Sequence, residues 1–87
     1  MPYIKQKARD ELMKLHIAIT DTPIKNAGEL NFIITQLIMS YLHHNNIWGY
    51  QQINDIIGAL ECAKTEFQRR VVAEFENKKI EENGDVY

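Results

Sequence analysis

Apolar residues recur at helical spacing in three stretches, separated by two polar breaks. From Gln6 to Ile19, Ala8, Leu12, Leu15 and Ile19 keep that spacing with Met13 and Ile17 alongside, which predicts a helix over 6–19 ended by Asp21-Thr22-Pro23. Asn26, three residues before Glu29, has the form of a capping box and opens a second helix over 27–43. Its stripe of Leu30, Ile33, Ile34, Leu37, Ile38, Tyr41 and Leu42 is the strongest element in the chain. The run His43-His44-Asn45-Asn46-Ile47-Trp48-Gly49 breaks the pattern, and a third helix follows over 50–78. No segment alternates as a strand would. The pattern predicts an all-α fold, one domain over 1–87, with three helices in an antiparallel arrangement.

The third helix has two special faces. Ile53, Ile56, Ile57, Leu60, Phe67, Val71 and Phe75 fall on one side, while Gly58, Cys62 and Thr65 stack opposite, with Asp55 and Arg69 at the ends of that line. Glycine inside a helix costs roughly 1 kcal/mol relative to alanine, so a shelf of small residues on the nominally wet side calls for a second contact. Length poses the same demand. A second helix of about 17 residues reaches roughly 25 Å and a third of about 27 reaches roughly 40 Å, so the third is expected to project beyond the other two. Val71, Val72, Phe75 and Ile80 would then stay wet, each forgoing about 1.5 to 3 kcal/mol of burial. The expected remedy is a symmetric homo-oligomer, a dimer or a dimer-based assembly, with Gly58, Cys62, Val71, Val72, Phe75 and the terminal Val86 and Tyr87 at its interface.

Composition narrows the function classes. An 87-residue chain hides only about 60 to 65% of its unfolded surface, which leaves little margin for a domain standing alone. With 45% hydrophobic and 25% charged residues it is globular material. A net charge of −2 argues against general nucleic-acid binding, which needs a basic excess, and against attraction to an anionic membrane. Cys62 is the only cysteine, which favours a reducing compartment. With neither a membrane-spanning apolar run nor a signal-type start, the expected location is the cytoplasm.

Chemistry-bearing residues are few. His16, His43 and His44 complete no four-ligand metal pattern, Cys62 has no cationic neighbourhood to activate it, and no paired-carboxylate motif appears. Catalysis, a metal and a cofactor are therefore not expected. The Arg69-Arg70 pair is the more informative feature: with Lys64 and Thr65 it offers forked donors and a hydroxyl along one line, suited to phosphate or carboxylate, although pairing with Glu66 or Glu74 would account for each arginine singly. Asn31 and Thr35 form a polar line beside the second stripe. Trp48 and Tyr50 bracket Gly49 and suit either a base-stacking platform or a cap on the core. Asn83-Gly84 signals a helix stop, leaving 83–87 as a tail ending in an apolar pair.

Several segments together resemble a known family. Met1-Pro2-Tyr3-Ile4, Gly28-Glu29-Leu30-Asn31, the run from Ile57 to Lys64, then Glu66, Arg69-Arg70-Val71, and the ending from Lys79 to Tyr87 resemble short uncharacterised proteins of tailed bacteriophages and prophages. Gln68 and Phe75 depart from the aromatic and the tyrosine of that pattern. The resemblance implies an accessory protein that disables host machinery by binding it. The expected function is sequestration of a small phosphate-bearing host molecule, such as a nucleotide signal, with Arg69, Arg70, Thr65, Lys64, Asn31, Thr35, Trp48 and Tyr50 as ligand contacts. The alternative is a protein that occludes a host enzyme through the far end of the third helix.

Overall fold

The computed structural model describes residues 2–45 and 48–87. Among these the structure is helical throughout: α1 (Gln6–Glu11), α2 (Met13–Asp21), α3 (Ala27–Asn45), α4 (Tyr50–Phe67), a π-helical turn (Gln68–Val72) and α5 (Ala73–Asn83). The all-α expectation holds, while several element boundaries differ from those read in the sequence. The chain divides into two units, one from Tyr3 to Ile56 and the other from Ile57 to Tyr87 with the first residues.

In the first unit the single helix expected over 6–19 is two pieces. Leu12 adopts φ −96° and ψ 4°, and its amide is shared between the carbonyls of Ala8 and Arg9 at 3.2 Å each. Such a three-centre bond tightens one turn without ending the helical path, since the His16 amide still bonds the Leu12 carbonyl at 3.0 Å. The path continues to Asp21, and Thr22 turns extended at φ −109° and ψ 113°. Proline at the next position disfavours helix for the residue before it.

The capping box at α3 is present. Asn26 Oδ1 accepts the Glu29 amide at 2.9 Å, and the Glu29 carboxylate reaches back to the Lys25 amide at 2.9 Å. Two amides that the helix cannot satisfy internally are thereby paired. The helix runs two residues further than its apolar stripe predicted, to Asn45, whose side chain donates to the Tyr41 carbonyl at 2.7 Å. The expected turn at 43–49 is thus helical over 43–45; Asn46 and Ile47 lie outside the described residues.

Burial is sparse. Leu42, 8% exposed, is the one buried apolar side chain among the described residues, with Ile33, Ile34, Ile38 and Ile56 half-buried. Leu30, Leu37 and Tyr41, expected on the same core stripe, are exposed. The Tyr41 hydroxyl donates to Asp55 Oδ2 at 2.8 Å and so ties α3 to the start of α4. Asp55 Oδ1 takes the Gln51 side-chain amide at 2.8 Å, so Asp55, expected at the end of the small-residue line, is occupied with its own fold.

The second unit begins within α4 and remains helical to Asn83, five residues past the expected end at 78. Its ladder changes pitch at Gln68–Val72, where the Ala73 amide bonds the Gln68 carbonyl, one residue wider than an α-helix. Gly84 stops the helix at φ 87° and ψ 152°, a region that a side chain with a Cβ avoids, and its amide closes on the Ile80 carbonyl at 2.8 Å. Beyond it, the Tyr87 amide turns back to Asp85 Oδ1 at 2.9 Å, and Val86 and Tyr87 are exposed. No described residue of this unit is buried.

Candidate functional site

The strongest candidates fall on the last turns of α4 and the π turn that follows. Lys64, Thr65, Arg69 and Arg70 are all exposed there. An uninterrupted α-helix would carry Arg69 about 40° past Thr65, whereas the wider π turn, with roughly 4.4 residues per turn, keeps it in line with Gly58, Cys62 and Thr65.

The electrostatics here are less open than the sequence suggested. Glu66 holds the Arg69 guanidinium in a fork, with Nε to Oε1 at 3.1 Å and Nη2 to Oε2 at 2.9 Å. Two parallel charge-assisted bonds match the guanidinium's planar geometry, so any phosphate approaching Arg69 must share it with a carboxylate. Lys64 stands 3.6 Å from Glu61 with both side chains well exposed, a pairing that solvent weakens to little. Arg70 has no ion-pair or hydrogen-bond partner among the described residues. Of the four, Arg70 presents the least committed charge.

Gly58 stands in open space: a Cβ built on it meets nothing within 4 Å. Nothing in the described chain makes the close approach that a glycine in mid-helix would otherwise serve. Cys62, one turn on, is exposed and free.

The remaining candidates divide by what they already do. The Thr35 hydroxyl donates to the Asn31 carbonyl of its own helix at 2.9 Å, which leaves Asn31 with the freer side chain of that polar line. Trp48, 70% exposed, and Tyr50, 87% exposed, do not cap a core. His44 Nδ1 lies 3.0 Å from the Ser40 carbonyl, and its ring meets His43 edge-on at 5.3 Å between centroids. Imidazole thus serves the helix end, as such residues do near a carbonyl terminus. Among the described residues no three His, Cys, Asp or Glu side chains gather as a metal site would require, and no helix is long and apolar enough to cross a membrane.

One feature escaped the sequence reading, the bond between Tyr41 and Asp55. It raises the Tyr41 phenol above its ordinary value, first because the hydroxyl donates to the carboxylate, then through desolvation and the nearby negative charge. Fourteen residues separate the two, and no local spacing rule connects positions that far apart.

The family match extends over the whole of this arrangement. The chain belongs to the DUF6899 family, a domain of unknown function. The match covers residues 1–86 and so includes the capped start of α3, the π turn with both arginines, and the glycine stop. No curated protein and no solved structure matches this DUF6899 chain.

Proposed function

We propose that this DUF6899 protein acts as a non-catalytic accessory binding protein of phage type. On this reading it works in the host cytoplasm as a homo-oligomer and sequesters a small phosphate-bearing host molecule, a nucleotide signal being the fitting class, in a counter-defence role. The observation that carries the reading is the uncommitted Arg70 guanidinium beside the forked Arg69 on a π turn, at the end of a line of small, exposed residues. Arginine offers planar, multidentate donors to phosphate, and short π segments recur at functional positions in helices. Lys64 and Thr65 add a cation and a hydroxyl one turn earlier. Asn31, Thr35 and the exposed Trp48 and Tyr50 would serve sugar and base where copies of the chain meet.

The test is titration calorimetry of the pure protein against linear and cyclic nucleotides. Capture at micromolar affinity or better, lost in Arg70→Ala, supports sequestration; failure of every nucleotide to bind below about 1 mM removes it, because sequestration demands tight capture.

A second reading rests on Phe75, which is 56% exposed on α5. An apolar anchor of that kind suits a protein that occludes a host enzyme. A single stoichiometric host protein retained by the wild-type chain and released by Phe75→Asp would decide for it.

A further inference from the structure

The unit from Ile57 to Tyr87 carries an apolar stripe along its helix. Ile57, Leu60, Phe67, Val71 and Phe75 are all exposed, and the lysine nearest the stripe's end, Lys79, only stands 5.5 Å from the Phe75 ring centroid. The π turn matters to the stripe's form. Residues four apart drift about 40° per step on an α-helix, so Phe75 would lie about 80° from Phe67; the wider pitch of Gln68–Val72 brings Phe67, Val71 and Phe75 back to within roughly 20° of one line. A straight stripe is what a straight partner requires.

Charge identifies the partner and its direction. Along one flank of the stripe run Glu66, Arg70, Glu74 and Lys78, alternately negative and positive at intervals of one turn. Arg70, Glu74 and Lys78 make no ion pair within the described chain. Reversing the sequence about Val72 sets Arg70 opposite Glu74 and Glu66 opposite Lys78, so the flank is complementary to itself when antiparallel. In a parallel pair this flank would face the partner's opposite flank, and these complementary pairs would not form. Flanking charges of this kind set orientation in paired helices.

We infer that the Phe67, Val71 and Phe75 part of this stripe is covered by the same part of a second copy, antiparallel and centred near Val72. This pairing needs no ligand and leaves the line of Gly58, Cys62, Thr65 and Arg69 on the outer side, but it engages Arg70 with Glu74 of the second copy, in competition with the phosphate role proposed above.

Pulsed dipolar spectroscopy on nucleotide-free protein tests it, using one spin label per chain. Cys62 is native, exposed and the only cysteine, so its label needs no substitution. Cys62→Ser/Gly58→Cys and Cys62→Ser/Thr65→Cys move the label along the same outward line, with open space at position 58. Each residue of displacement changes the axial separation in an antiparallel pair by about 3 Å, twice the helical rise. The axial separations expected are about 42 Å at 58, 30 Å at 62 and 21 Å at 65, with a constant lateral offset added to each. Separations that shorten steadily from 58 to 65 support the pairing. Equal separations at the three positions mean a parallel pair, shortening toward 58 means another seam, and no dipolar coupling means a monomer; each of these overturns it. Because no nucleotide is present, failure here is distinct from failure of the sequestration reading.

Discussion

The two units of the chain solve the same problem with different means. From Tyr3 to Ile56, chain ends and polar groups are closed locally: at the start of α3 Asn26 accepts the Glu29 amide and Glu29 accepts the Lys25 amide, and Tyr41 spans to Asp55 beside the buried Leu42. From Ile57 onward, the structure has its own helical hydrogen bonds, three exposed ion pairs one turn apart and a glycine stop, with no buried side chain. Helices held by backbone bonds and surface pairs alone are poorly stable in water, and in proteins their stability comes from packing an apolar face. The first unit carries the beginnings of a core, and the second presents an exposed apolar face.

The sharpest way to break this contrast is Phe75→Asp. If the stripe is a self-complementary seam, one charge per copy removes two large apolar contacts and places two carboxylates in the seam, and sedimentation should show association weakened at least a hundredfold. Leu42→Ala strikes the other unit. It removes the one buried apolar side chain described there, should cost about 2 kcal/mol or more, and should lower the melting temperature while leaving the dimensions of the seam, read by the Cys62 label, unchanged.

Smaller effects sharpen the comparison. Arg70→Glu should weaken association about tenfold by turning two facing attractions into repulsions, and adding Glu74→Arg should restore it, a rescue that a parallel pair would not show. Gly58→Ala should raise the thermal stability by up to about 1 kcal/mol, because the added methyl meets open space; a loss would reveal a backbone pressed against that line. The least effect concerns the tie between α3 and α4. Tyr41 titrates above the ordinary phenol value near 10 because it donates to Asp55. Its folded value is raised over the unfolded one, so its contribution is fully present below pH of about 10 and fades as pH climbs through the folded value. Tyr41→Phe should remove that alkaline loss, followed by circular dichroism across the same range.

Much of this was legible from residue spacing, and the reasons are local. The start of α3 follows from Asn26 and Glu29 because a cap involves only neighbours along the chain; the end of α2 follows from Thr22 preceding Pro23, and the end of α5 from Gly84. The π turn was not anticipated, although Phe67, Val71 and Phe75 at intervals of four held a clue, since an α-helix lets such a series drift. Pairing of Glu66 with an arginine was legible because spacing allows it to reach either Arg69 or Arg70, and only side-chain geometry shows that it forks Arg69 and leaves Arg70.

The sequence by itself determined that this chain is helical and that α3 opens at an Asn26 and Glu29 cap, because each of these depends on interactions within one or two turns. Tertiary structure alone decided that Tyr41 reaches Asp55 and that Leu42 is buried while Leu30 and Leu37 are not. Burial is a property of what surrounds a residue in space, and periodicity specifies a face without specifying what covers it.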